Sequence, residues 1–259
     1  MDYRKIVKIF FAQVLLILVV SSALVIYVDP FFHYRKPNVN LFYNLDAGKE
    51  RYQNDGIIKH FDYDTMIIGT SMTENFKASE CDYIFQANTI KVPFSGGTYK
   101  EINDNIATAY RTEHELKNVI RSLDWSTHLV EDKDVMRDDL GAYPWYLYND
   151  KCSDDVAYFI NKDAMKISAK IIKESFLKNK KGITTFDDYA NWNANYEFGA
   201  KIVLKGRETY HITDKGRSFN SADEEIVKGN IEQNVISLAR QHPETTFYYF
   251  FPPYSIAYW

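Results

Sequence analysis

"DTMIIGTSMTENF", residues 64–76, is the stretch on which the reading of this chain turns. An apolar, β-branched run, Met66-Ile67-Ile68, stops at Gly69-Thr70-Ser71. Ser71-Met-Thr-Glu74 then follows with the S/T-x-x-E spacing of a capping box. The run predicts a buried strand over 64–69 and the box predicts a helix opening at Ser71. Two readings of Ser71 follow. It is a helix cap, or it is a hydroxyl nucleophile held at the end of a buried strand.

Working outward, the same rhythm repeats. "NTIKVP", residues 88–93, reads as a second strand ending in Phe94-Ser95-Gly96-Gly97. "YKEINDNIATAYRTE" follows with Ile102, Ile106 and Ala109 on one helical face. "LKNVIRSL", residues 116–123, reads as a third strand ending at Asp124-Trp125. Farther on, "ADEEIVKGNIEQNVISLARQ" reads as a helix, and "TTFYYFF" as a strand running into Pro252-Pro253-Tyr254-Ser255. Strands alternating with helices over short connections predict an α/β fold with a doubly wound parallel sheet. Thr98-Tyr-Lys-Glu101 and Ser221-Ala-Asp-Glu224 repeat the capping-box spacing, so these helices are expected to open at Thr98 and Ser221.

Residues 126–220 break the rhythm with an acidic run, "EDKDVMRDD", and an aromatic one, "GAYPWYLYND". They read as an insertion on the sheet that carries one helix, "KDAMKISAKIIKESFLK". Trp145, Tyr146, Tyr148 and Trp192 in it could stack on a glycan or anchor loops. The acidic run is a solvated loop or, less economically, a divalent-cation site.

At the amino terminus, "IFFAQVLLILVVSSALVIYV", residues 9–28, is 20 residues without a charge, long enough to cross a bilayer as a helix. Arg4, Lys5 and Lys8 precede it, which predicts a cytoplasmic amino terminus and an extracytoplasmic carboxyl-terminal domain. Small residues at Ser21 and Ala23 leave a cleaved signal peptide as the alternative, but the apolar run continues to Val28. Asp29-Pro30 stops the helix. The expected organisation is a tip and anchor over 1–28, a lead-in over 29–60, and an α/β domain over 61–259 with the insertion at about 126–220.

Composition excludes some classes. The 46% apolar and 25% charged balance is that of a folded protein, and a net charge of −4 argues against a general nucleic-acid binder. Neither G-x-x-x-x-G-K-[ST] nor G-x-G-x-x-G occurs, so no nucleotide cofactor is expected. His114-Glu115 lacks the spacing of a zinc hydrolase, and the 2 cysteines, Cys81 and Cys152, form no metal-ligand pattern. They are one disulfide or two structural thiols, the second being the simpler reading.

Ligands in open α/β sheets bind beyond the carboxyl ends of the strands. Gly69-Thr70-Ser71, Ser95-Gly96-Gly97, Asp124 and Ser255 all lie there in the predicted sheet. In this order they resemble the SGNH hydrolases, also called the GDSL family. The family's G-D-S-L or looser G-x-S block is matched by Gly69-Thr70-Ser71-Met72, and its oxyanion-hole glycine by the Ser95-Gly96-Gly97 turn. The G-x-N-D block is replaced by Leu123-Asp124-Trp125. The resemblance covers residues 61–125 and 222–255, and is nearest to membrane-anchored SGNH-like proteins of bacterial cell-envelope and exopolysaccharide loci. It implies an esterase or O-acyltransferase acting on acyl or acetyl esters of an envelope glycan, with a membrane acyltransferase as a partner. Ser71 would be the nucleophile, Gly96 and Gly97 would form the oxyanion hole, and Asp124 would be a polar site residue.

The family's catalytic His, in D-x-x-H, has no match downstream of Ser71. His128 is the best placed of the 6 histidines, four residues after Asp124. A chain that is a truncated form of a longer protein is the more economical expectation. The competing class is a non-catalytic glycan-binding or assembly protein on the same scaffold, with Ser71 a cap.

Overall fold

The computed structural model describes residues 3–46, 48–124, 129–139, 142–192, 197, 199–205 and 218–254. Two compact units emerge, one of Met1–Phe61 with Gly141–Thr185, the other of Asp62–Leu140 with Phe186–Trp259. The lead-in and much of the aromatic stretch thus share a unit, and each unit is built by its own logic.

The first unit opens with helix α1, Tyr3–Val28, which is long enough to cross a membrane and contains an 18-residue window of mean hydropathy 2.8. Most of its apolar side chains are exposed, but Val25 and Val28 are fully buried. Val25 joins Phe31, Leu147, Tyr158 and Ala164 in one core cluster. The helix stops where Asp29-Pro30 requires it. Asp29 adopts φ +50, and its carboxylate accepts the N–H groups of His33 and Tyr34 and the Tyr158 hydroxyl. His33 and Tyr34 in turn bond the two oxygens of Asp155, at 3.1 and 2.8 Å.

Strand β1, Phe42–Tyr43, pairs in parallel with β5, Gly182–Ile183. Helix α2, Glu50–His60, carries Gly56, where a methyl would overlap the carbonyl oxygens of Phe31 and Phe32. Glycine lets the α2 backbone lie against that turn. A short helix α5, Val156–Phe159, leads to α6, Lys162–Ile172, capped by Asn161 and extended by a π turn, Lys173–Leu177. Ala164, Ser168 and Ile171 on one face of α6 are buried, the period an amphipathic helix requires.

The second unit is a four-stranded parallel sheet ordered β3-β2-β4-β6, from β2 (Thr65–Gly69), β3 (Thr89–Pro93), β4 (Asn118–Ser122) and β6 (Thr246–Phe250). All residues of β2 and β3 are buried, as a parallel sheet covered on both faces requires, Lys91 of β3 included. The register aligns Ile67 with Lys91 and Ile120, and Ile120 with Tyr248. Helix α3, Ala78–Phe85, packs on that face, with the Phe85 ring 5.1 Å from Tyr248. Arg121 points to the other face, toward α4 (Tyr99–Ala109) and a long helix of α8 (Ser221–Ile231), a π turn (Glu232–Ile236) and α9 (Ser237–Gln241). A short helix α7, Ala200–Val203, precedes α8 in the chain.

The structure changes two of the three helix starts. The chain after β2 forms only a 3-10 turn, Ser71–Thr73, capped by Thr70, whose Oγ1 accepts the Met72 N–H at 3.3 Å. Helix α3 waits until Ala78. The reason is tertiary. Lys91 Nζ, buried in β3, takes the carbonyls of Glu74 and Phe76, acceptors that a continuing helix would have used. Helix α8 is capped by Asn220 with Asp223 in a reciprocal box, one residue before the expected Ser221–Glu224 pair. Thr98 does cap α4, accepting the Glu101 N–H at 3.1 Å.

Candidate functional site

Strand β2 is followed in sequence by β3 on one side, whereas β4 pairs on its other side. The carboxyl ends of β2 and β4 therefore frame the crevice where a connection changes direction, the usual ligand position in such sheets. Gly69, Thr70 and Ser71 leave β2 there, and Ser122 and Asp124 leave β4 there.

Gly69 sets the closeness of these two ends. A methyl on it would overlap Ser122 Oγ and lie 2.7 Å from Thr73 Cγ2. Buried Ser122 donates to Asp124 Oδ2 at 2.8 Å and accepts the Thr70 N–H at 3.4 Å. Asp124 is 4% exposed, and its other carboxylate oxygen accepts the Tyr254 hydroxyl. Its backbone carbonyl accepts the Tyr99 hydroxyl at 3.0 Å. Asp124 thus ties β4, α4 and the segment after β6 to the bend that precedes Ser71. Both its oxygens accept hydrogen bonds that hold the bend.

Ser71 itself is half-buried, and its hydroxyl meets no hydrogen-bond partner among the described residues. Its carbonyl accepts the Trp192 indole N–H at 3.2 Å and the Glu74 N–H. Thr73, fully buried, returns its hydroxyl to the Thr70 carbonyl at 2.8 Å and fixes the turn.

Beside it, Phe94 N–H donates to the Gly69 carbonyl at 2.8 Å, which extends the β2–β3 pairing to the turn. Phe94-Ser95-Gly96-Gly97 is closed by Gly97 N–H on the Phe94 carbonyl at 2.7 Å, with Gly96 at φ +61. A positive φ at the third position alone is the type II pattern, which favours glycine. Because Gly97 has given its N–H to the turn, Gly96 is the glycine whose N–H meets no acceptor among the described residues. Over Gly96 lies the Arg137 guanidinium, with Nε and Nη2 both 3.6 Å from where a methyl would be.

Of the residues expected at the site, Ser71, Gly96, Gly97 and Asp124 all fall at this carboxyl edge. His128, His211 and Ser255 lie outside the described residues. His114 and His242 precede β4 and β6, at the opposite edge of the sheet. His114 packs against the Tyr63 ring at a tilt, and His242 stacks on the Tyr110 ring with Nδ1 2.9 Å from Glu244. Both cysteines are free thiols, Cys81 buried and Cys152 exposed. Among the described residues no cluster of three or more metal-ligating side chains occurs.

Three residues that shape this part of the unit escaped the sequence reading. Ser122 is ordinary in sequence, and Arg137 sits in an acidic run with no pattern to single it out. Lys91 did carry a signal, a lone charge inside an apolar strand. Comparison with known proteins adds no family: no family model, no curated protein and no solved structure matches the chain.

Proposed function

We propose that the protein is a membrane-anchored, extracytoplasmic SGNH-like serine esterase or O-acyltransferase, on a doubly wound flavodoxin-like sheet, acting on acyl or acetyl esters of a cell-envelope glycan. One observation carries it. Ser71 stands at the turn leaving β2 at the direction-changing crevice, with an unengaged hydroxyl and the Gly96 turn beside it. The Ser71 hydroxyl would attack the acyl carbon, its proton passing to a base while the Ser71 and Gly96 N–H groups stabilise the oxyanion. The sugar oxygen leaves with a proton. Water, or a second hydroxyl, then takes the acyl group from Ser71. His114 and His242 lie at the opposite edge of this sheet, so on this reading the base is a group other than these two.

The anchor reading draws support from the docking of Val25 and Val28 in the core of the first unit. Cleavage near Ala23 would leave that last turn with no helix before it.

The test is hydrolysis of an activated acetyl ester by the full chain and by Ser71→Ala. Loss of roughly a thousandfold or more, with an unchanged unfolding midpoint, is expected for removal of a nucleophile. Full activity in Ser71→Ala would sink the assignment. A second reading, a glycan- or partner-binding protein without catalysis, is favoured by the placement of His114 and His242 at the far edge. It predicts glycan binding that persists in Ser71→Ala, with no esterase activity in either protein.

A further inference from the structure

The Arg137 guanidinium has an environment that a structural arginine rarely has. Its Nε, Nη2 and Cζ stand 3.6–3.7 Å from where a methyl on Gly96 would be, beside the glycine of the turn whose N–H meets no acceptor among the described residues. Its Nε is buried without a hydrogen-bond partner. The nearest carboxylate, Asp139, stands 3.3 Å from Nε without hydrogen-bond geometry, and the Asp139 side chain is 60% exposed. A buried N–H on a permanent cation is costly to leave unpaired.

The loop that carries it is held from outside. Asn234 donates to the Lys133 carbonyl at 2.8 Å, Gln233 donates to the same carbonyl and to Asp134, and Asn230 donates to the Leu129 and Glu131 carbonyls. Asn234 and Gln233 belong to the π turn, an irregularity often found at functional sites. The Asn234 carbonyl in turn accepts from Arg121, which is buried in β4. Five side-chain amide bonds thus hold residues 129–134, the segment that leads to Arg137, to the long helix.

We infer that Arg137 binds an oxoanion, a carboxylate or phosphodiester, on the substrate beside the Gly96 turn, so that the site selects an anionic polymer over a neutral one. The inference rests on the proposed function for the kind of polymer, and on the geometry of Arg137 for its charge. A guanidinium edge offers two parallel N–H groups to such an anion. Asp139 is the competitor that the anion displaces.

Calorimetric titration of the full chain in detergent micelles tests this. The probes are oligogalacturonate as the carboxylate source, oligo(glycerol phosphate) as the phosphodiester source, and a neutral malto-oligosaccharide. Wild type and Ser71→Ala should bind one anionic probe equally and the neutral one far more weakly. Arg137→Gln should weaken that binding by about tenfold or more, the loss typical of a charge-assisted pair. Asp139→Asn, at an exposed position, should tighten it. Whichever anionic probe binds names the source. Equal binding of the neutral probe, no binding of either anionic probe, or unchanged affinity in Arg137→Gln overturns the inference. If Arg137→Gln does not fold, unchanged affinity in Asp139→Asn overturns it. The binding readout does not involve the Ser71 hydroxyl, so failure of the catalytic reading leaves a separate signature.

Discussion

Lys91 sits in β3 between Ile90 and Val92, fully buried, with its ammonium held by two backbone carbonyls instead of a carboxylate. Burial pushes its pKa from 10.5 down to about 8, and the charges of Asp187, Glu74 and Asp188 recover part of that. The unfolded chain thus holds this proton more tightly than the folded one. Between pH 8 and 10.5 the unfolded state binds more protons at this site, so the Lys91 contribution to stability rises with pH across that window. Below pH 8 both states are protonated and the contribution is flat. Tyrosines titrate in the same range, so the comparison must be with Lys91→Met, in which they are unchanged. Denaturation midpoints of the two proteins should diverge in favour of wild type as pH rises from 8 to 10. A constant difference would mean that Lys91 keeps an ordinary pKa. Arg121 presents a related case on the other face, where burial pushes its pKa down to about 10 and the ring of Tyr99 lies 5.6 Å away.

At the scale of elements, the caps show how a one-residue shift is decided. Asn220 accepts the Ala222 and Asp223 N–H groups at 2.8 and 3.3 Å, and Asp223 returns a bond from the Asn220 N–H. Ser221 obeys the same sequence spacing with Glu224, yet Glu224 is exposed and pairs with Lys228 at 2.7 Å. Asn220→Ala should therefore cost about 1 kcal/mol, whereas Ser221→Ala should stay within about 0.5 kcal/mol. Urea melts of the two variants check this, and equal losses would return the cap to Ser221. The same lesson applies after β2, where the box Ser71–Glu74 is complete in sequence and no helix forms on it. Local capping energies of about 1 kcal/mol yield to a buried ammonium that must find acceptors, because leaving a buried charge unsatisfied costs several times more.

At the scale of the whole molecule, α1 gives a prediction about where the chain resides. Its exposed apolar length has no counterpart elsewhere among the described residues, and a bilayer is the environment that removes such a surface from water. Cys152 is an exposed thiol of the first unit and Cys81 a buried thiol of the second. With the amino terminus cytoplasmic, a membrane-impermeant maleimide added to intact cells should label the chain once, and Cys152→Ser should abolish the label. Labelling only after lysis would reverse the orientation. Leu16→Lys with Val19→Lys should release the protein into a carbonate wash, each lysine costing about 3 kcal/mol in the membrane.

The sequence by itself determined the periodic features. The long apolar amino-terminal helix, the buried parallel strands and the order of the turns beyond them were readable because each depends on a local run of residue types. Asp29-Pro30 ends α1 where its chemistry demands, and Ser71, Gly96 and Asp124 come to one sheet edge because the alternation of strand and helix leaves no other place for them. Tertiary structure alone decided what those residues then touch. Gly97 spends its N–H on Phe94, Asp124 spends both oxygens on Ser122 and Tyr254, and Lys91 unwinds the helix expected at Ser71. Arg137 reaches Gly96 from 41 residues away in sequence, on a loop held by amides nearly a hundred residues farther on. Such contacts leave no period in a sequence, because they join segments whose only relation is that folding brings their polar groups within reach of one another.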